Sequence, residues 1–252
     1  MAIRAFAHRG GAKHPDLIGF ENTMRAFRHA VGLGYRHLET DVHLTQDGVL
    51  VVLHDAVLDR VTDHAGAVAD LPASEVAAAR IGGSEPIPTL AELVESLPSY
   101  VRYNIDLKAP GTAEAMARFL RERGLEDRVI IGSFSTAEME RFRALTEGRV
   151  ATSAVPWEVV AYRASPAAFP LRRLTAAALQ IPHVRMGLTI TSSGVVRRAH
   201  ANGIEVHAWT IDDADEMRVL LDRGVDGIFT DRTDILRDVL IERGEWLDWE
   251  EQ

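Results

Sequence analysis

The chain has 252 residues, of which 46% are hydrophobic and 26% charged; this is ordinary globular usage and excludes disorder or collagen-like structure. It contains no cysteine, which excludes disulfides, Cys-based zinc sites and a thiol nucleophile. A net charge of −9 argues against broad nucleic-acid binding, which needs basic surface, but leaves a small phosphate-bearing substrate open.

The N-terminal segment has no long apolar stretch after Arg4, which argues against a secretory signal. No apolar run approaches the ~20 residues of a membrane span. A cytoplasmic protein without stable membrane insertion is expected. Nine strand-like runs follow in chain order: Ile3–Ala7, His37–Val42, Val49–Leu53, Val101–Leu107, Val129–Ile131, Val150–Thr152, Ala177–Ile181, Glu205–Trp209 and Gly227–Thr230. Helical stretches ending at Gly34, Gly124, Gly148, Gly203 and Gly224 each lead into one of these regions. Glycine suits the left-handed position past a helix end, and buried parallel strands read as short apolar runs. In Asn22–Leu33 the spacing of Met24, Phe27 and Val31 predicts an amphipathic helix with Asn22 as N-cap. Asp213 and Glu216 predict another helix start, and Leu90–Leu97 a further helix. The stretch Ala167–Ala178 is the least periodic and is expected to be loop-rich.

The pair Asp47-Gly48 resolves the ninth strand. Between two strand-like runs it signals a hairpin with a type I′ turn, so Val49–Leu53 is a return arm. Eight strands remain, and the length fits a (β/α)₈ TIM barrel as one domain over 1–252. Residues 46–88 read as an insertion, a hairpin plus loop region, after the second strand. A doubly wound open sheet is the alternative architecture.

In such a barrel the site lies at the C-terminal strand ends. Those ends carry His8-Arg9, Glu39 and Asp41, Asp106 and Lys108, Ser133, Ser153, Trp209-Thr210 and Thr230-Asp231. Glu39 and Asp41 are two apart on a strand and share a face. Two carboxylates in one mouth repel unless a cation lies between them, and oxygen ligands suit Mg²⁺ or Ca²⁺, with Mn²⁺ admissible. Asp106 supplies a third ligand from another strand end. The competing reading pairs these acids with Arg9, Lys108 or Arg36. A two-residue turn at Asp47-Gly48 sets Asp41 opposite His54, bringing His54 beside the acids; pairing with its neighbour Asp55 alone is the plainer reading of that histidine. Arg9, ahead of Gly10-Gly11, offers a fork for a phosphate or a carboxylate. Lys108 is a second phosphate cation. Trp209 either floors a pocket or fills the barrel. His207 reads as interior, and the remaining histidines carry no assignable partner.

Several segments together resemble the glycerophosphodiester phosphodiesterase family: Phe6-Ala7-His8-Arg9-Gly10-Gly11, Glu21-Asn22-Thr23, Glu39 through Gly48, Leu53-His54-Asp55, Leu58 through Thr62, Ile87 through Leu90, Asn104 through Lys108, Ala208-Trp209-Thr210 and Val225 through Asp231. The resemblance covers nearly the whole chain, and its ordered series of motifs is specific. It implies a TIM barrel with an insertion after the second strand. It also implies metal-dependent hydrolysis of glycerophosphodiesters to sn-glycerol 3-phosphate and an alcohol. Under it His8 and His54 form the acid/base pair, Glu39 and Asp41 hold the metal, Arg9 and Lys108 contact the phosphate, and Glu21 lies at the edge. The family usually carries Glu at the position of Asp106, and Lys13–Phe20 is longer than the common spacing. The alternatives are a lysophospholipid or phosphoinositide phosphodiesterase, for which Trp157 and Phe169 could form an apolar rim, and a non-catalytic phosphate-ester-binding barrel. A sugar-phosphate isomerase on the same fold ranks far below these.

Overall fold

A computed structural model describes residues 3–164 and 175–246. The chain opens with β1 (Arg4–His8) and α1 (Met24–Gly32), then β2 (His37–Leu44) and β3 (Leu50–Val52). A short helix α2 (Ala73–Val76) and a ribbon of β4 (Arg80–Ile81) with β5 (Glu85–Pro86) lead to α3 (Leu90–Ser96) and β6 (Arg102–Leu107). Strand and helix then alternate through α4 (Thr112–Arg123), β7 (Val129–Gly132), α5 (Thr136–Leu145), β8 (Ala151–Thr152), α6 (Pro156–Ala164) and β9 (Ala178–Pro182). A second ribbon, β10 (Val184–Arg185) with β11 (Leu188–Thr189), precedes α7 (Ser193–His200), β12 (Glu205–Trp209), α8 (Ala214–Asp222), β13 (Gly227–Thr230) and α9 (Thr233–Glu242).

Eight strands pair in parallel in the order β8-β7-β6-β2-β1-β13-β12-β9. A parallel bridge from Ser153 to Ala178 joins the two ends of that order, so the sheet closes into a barrel. The eight-strand expectation therefore holds, and β3 is the antiparallel return arm on β2. The five anticipated glycines all have positive φ, from 61° to 96°. Of the stretch 167–178, only 175–178 lie within the described residues, and Ala178 already opens β9.

Strand alternation builds two layers. In β6, Tyr103, Ile105 and Leu107 are buried among the helices, while Asn104 and Asp106 face the cavity inside the barrel. At the base of the interior, Phe6 and Phe229 stack at 4.2 Å, with His207 tilted against Phe6 at 5.1 Å. Gly227 is required there, because a Cβ would come within 2.8 Å of the Phe6 ring. His207 is fully buried, as expected. Above this plug Gln180 donates to Asn104 at 2.6 Å, forming a polar floor. Residues 46–88 carry a small core of their own, with Leu53, Leu58, Val76 and Ile81 at its centre.

Two local expectations are corrected. The hairpin pairs Val42 with Val52 and His43 with Val51, one residue out from the register that set Asp41 opposite His54. Gly48 has φ 82°, but Asp47 is not among the positive-φ residues, so a type I′ turn is excluded. Instead Gly48 N donates to Thr45 O, and Thr45 N to Val49 O. That is a three-residue loop with its left-handed residue at glycine. Asp41 therefore lies opposite Leu53, whose N–H donates to Asp41 O at 3.1 Å. The second correction concerns α1. Its N-cap is Thr23, whose hydroxyl accepts from Ala26 N, while Asn22 sits one residue earlier at φ 58° and is fully buried.

Candidate active site

A cavity of about 450 Å³ opens at the C-terminal strand ends. His8, Arg9, Glu39, Asp41, His54, Asp106, Lys108 and Trp209 all line it. His54 arrives by a route other than the one the hairpin arithmetic gave. The strand ends at Val52, and the chain carries His54 into the mouth from the loop beyond. His43 Nε2 lies 3.0 Å from the His54 carbonyl oxygen and steadies that loop.

His8 is the last residue of β1. After it the backbone turns through positive φ at Arg9, Gly10 and Gly11. A side chain at Gly10 would put its Cβ 2.7 Å from that of Ala26, so glycine allows α1 to pack against the turn. His8 Nδ1 lies 2.6 Å from Asp231 Oδ1, and Nε2 lies 3.7 Å from Glu39 Oε2. Lys13 Nζ holds the other Asp231 oxygen at 3.2 Å. Burial alone would lower the His8 pKa, but the Glu39 and Asp231 carboxylates outweigh it and raise it above the usual histidine value.

His54 repeats this arrangement. Its Nδ1 lies 2.6 Å from Asp55 Oδ1. Arg60 from the insertion donates through Nε to Asp55 and through its two terminal nitrogens to Glu21 at 2.7 and 3.0 Å. Glu21 in turn accepts from Arg9 at 3.2 Å. Arg60 holds the Asp55 carboxyl down to about 2, and His54 adds to this. In both histidines a carboxylate at Nδ1 fixes the tautomer, leaving Nε2 for proton exchange.

The acids lie deep. Burial, then the nearby Asp41 charge, lifts the Glu39 carboxyl to about 7. Asp41 is pulled the other way: burial would raise it, but Lys108 and Arg9 hold it below the usual range. Burial raises Asp106 despite its lysine neighbour. Lys108 Nζ lies 2.9 Å from Asp41 Oδ1 and 2.6 Å from Asp106 Oδ2. Arg9 Nε lies 3.5 Å from Asp41. The ion-pair reading of Asp41 and Asp106 is thus realised, while among the described residues the Glu39 carboxylate has the Arg9 backbone N–H at 3.1 Å and His8 at 3.7 Å.

This donor set fits a hard divalent cation. Glu39 and Asp41 offer only oxygen, and two buried carboxylates repelling each other call for positive charge between them. Lys108 spans Asp41 and Asp106, so Asp106 is the less available third donor. The one group of described residues that brings three His, Asp or Glu ligand atoms within 4.8 Å is His14, Asp16 and His29, outside this cavity.

The sequence reading passed over four members of the constellation. Asn22, read as a cap, accepts from Thr40 Oγ1 at 2.8 Å and donates to Asp41 at 3.3 Å, so it aims a carboxylate. Asp231 reads as a polar strand end and Asp55 as a neighbour of His54, both within the family-like motifs but without a role. Arg60 stands in the sequence only as part of the Leu58–Thr62 motif, with nothing local to mark it as the partner of Asp55 and Glu21. Asn22→Ala is expected to destabilise the fold by about 1–3 kcal/mol in denaturant titrations, because it strips partners from buried polar groups. A loss within error of zero contradicts that role. Arg60→Ala is expected to lower kcat roughly 10- to 100-fold by releasing Asp55 and Glu21. Arg60→Lys should recover only part of this, since an ammonium cannot fork between two carboxylates; a kcat equal to that of the parent protein contradicts the bracing role.

The model of the glycerophosphoryl diester phosphodiesterase family matches residues 8–235. A probable glycerophosphodiester phosphodiesterase 2 of Mycobacterium tuberculosis is 42% identical over 247 residues, covering 96% of this chain and 92% of that protein. A glycerophosphodiester phosphodiesterase of Caldanaerobacter subterraneus is 31% identical, covering 94% of this chain and 97% of its own length. Among solved structures, an Oleispira antarctica phosphodiesterase in complex with the product sn-glycerol-3-phosphate superposes with a TM-score of 0.76 at 24% identity, covering 95% of this chain and 97% of its own. The barrel architecture is common to both.

Proposed function

Because this chain belongs to the glycerophosphoryl diester phosphodiesterase family and is a phosphoric diester hydrolase, we propose that it hydrolyses glycerophosphodiesters to sn-glycerol 3-phosphate and an alcohol, with His8 and His54 exchanging the protons. The observation that carries this reading is the matched pair of imidazoles, each with Nδ1 tied to a carboxylate at 2.6 Å, on one cavity with Arg9 and Lys108. A non-catalytic barrel has no use for two such pairs.

A phosphodiester resists cleavage because its anion repels nucleophiles and its alkoxide leaving group is poor. Arg9 and Lys108 supply positive charge for the phosphoryl oxygens as charge develops on them. One imidazole accepts a proton at Nε2 from the attacking oxygen, which belongs either to water or to the free glycerol hydroxyl beside the phosphate, the cyclic phosphate of the second route then being opened by water. The other donates from Nε2 to the departing alkoxide as the phosphorus–oxygen bond breaks. Asp231 and Asp55 keep both rings in the tautomer this needs and stabilise them when protonated. Glu39 and Asp41, with Asp106 in support, would hold Mg²⁺, Ca²⁺ or Mn²⁺. Such a cation supplies Lewis-acid stabilisation of the phosphoryl oxygens. The Asn22 hydrogen bond orients Asp41 for that task.

The test is release of sn-glycerol 3-phosphate, followed with a coupled dehydrogenase, from a panel of glycerophosphodiesters supplied with divalent cation. Multiple turnovers on at least one member are expected. No release from any of them overturns the reading.

A further inference from the structure

Charge is unevenly distributed along this chain. From Val159 to Ile204 there is no Asp, Glu or Lys, but there are six arginines: Arg163, Arg172, Arg173, Arg185, Arg197 and Arg198. That stretch carries six positive charges in a chain whose net charge is −9. Its described parts include α6 from Val159 onward and the β10–β11 ribbon, which follow the neighbouring strands β8 and β9; the one acid of α6, Glu158, precedes the stretch and is buried against Arg143. Arg163 and Arg185 line the cavity there, together with Val159, Val160 and Ile190. The carboxylates of the cavity come from β2 and β6, so this wall has cations and aliphatic groups but no acid of its own.

The outer surface of the same arc is apolar. Of the eleven large hydrophobic side chains exposed on the described surface, five lie here: Trp157, Val160, Val184, Met186 and Leu188. Trp157 and Val160 are three apart on α6 and share a face. Met186, at the ribbon tip, is 93% exposed. Single exposed apolar residues need no explanation, but a cluster at a cavity mouth does.

We propose that this arc, α6 with the β10–β11 ribbon, docks on an anionic phospholipid surface and so turns the cavity mouth toward lipid-derived phosphodiesters. Arg163 and Arg185, in a stretch with no acid from Val159 to Ile204, meet lipid phosphates, and the aliphatic tip enters the boundary between headgroups and acyl chains. Nucleic acid would use the arginines but not Met186 and Leu188. A second copy of this acidic chain would leave its own basic arc facing an identical one. The attachment is peripheral: among the described residues no helix is long and apolar enough to cross a membrane. The orientation of substrate rests on the catalytic reading above, whereas vesicle binding does not.

The experiment is co-sedimentation of the full chain with vesicles of equal parts phosphatidylglycerol and phosphatidylcholine, against pure phosphatidylcholine. Binding to the anionic vesicles is expected to be roughly tenfold tighter or more at low ionic strength, and to weaken in about 0.5 M salt. The double variant Met186→Glu/Leu188→Glu should lose that binding while turning over a soluble glycerophosphodiester at the parent rate; neither residue lines the cavity. Equal partition to both vesicles, no binding, or unchanged binding of the double variant overturns the proposal. So does a concentration-dependent dimer abolished by the double variant without any vesicle binding, which would make the arc a self-interface. Intact vesicle binding by a protein that turns over no diester would instead remove the catalytic reading and leave the docking surface standing.

Discussion

Replacing His8 or His54 by alanine lowers kcat for an alkyl glycerophosphodiester by roughly 10²–10⁴-fold, the usual worth of one positioned proton transfer. Both rings line the cavity, and both are oriented by a carboxylate at Nδ1, so each loss removes a group already set in the right tautomer. The double variant is expected to lose less than the product of the two single losses, because the pair acts as a unit. A substrate with a nitrophenolate leaving group needs no proton on departure. It should restore the variant lacking the general acid and leave the variant lacking the general base slow, which assigns the two roles. If neither substitution slows the alkyl substrate by about tenfold, the protons move by another route, and the charges of Arg9, Lys108 and a bound cation carry the reaction.

Stripping divalent cations is expected to have an effect at least as large. A chelated and desalted preparation should lose roughly 10³-fold or more in turnover, and Mg²⁺, Ca²⁺ or Mn²⁺ should restore it. The reason lies in the acids themselves. Glu39 is buried beside Asp41 and lifted to about 7, and its ion-pair partner His8, at 3.7 Å, lies farther off than Lys108 does from Asp41, at 2.9 Å. Glu39→Ala and Asp41→Ala should each raise the cation concentration needed for half-activity. Metal-free protein at full rate contradicts the carboxylate site.

Much of this site was legible in the sequence because strand ends carry their own signal. Apolar runs that terminate in His8, Glu39, Asp41, Asp106 and Lys108 place ionisable groups on one rim once the barrel is inferred. The barrel itself followed from glycines past helix ends and from reading Val49–Leu53 as a return arm. What failed was finer. An Asp-Gly pair serves both two-residue and three-residue turns, and the Thr45 hydroxyl, which accepts from Val49 N and donates to Asp47, favours the longer one. The register moved by one, yet His54 still reached the cavity, because it lies past the end of the paired strand. Asn22 and Thr23 are both good caps in sequence, and only the packing of Asn22 beneath Thr40 and Asp41 separates them. Arg60 stands in the Leu58–Thr62 motif, but no local pattern gives its role. It is 39 residues from Glu21, and its role exists only once the insertion folds over the mouth.

The most direct test of the whole account is phosphorus NMR of a glycerophosphodiester hydrolysed in ¹⁸O-labelled water with divalent cation present. Attack at phosphorus with departure of the alcohol predicts sn-glycerol 3-phosphate carrying the label in its phosphate, and unlabelled alcohol. Label in the released alcohol, or phosphate left on the alcohol in place of glycerol, contradicts it.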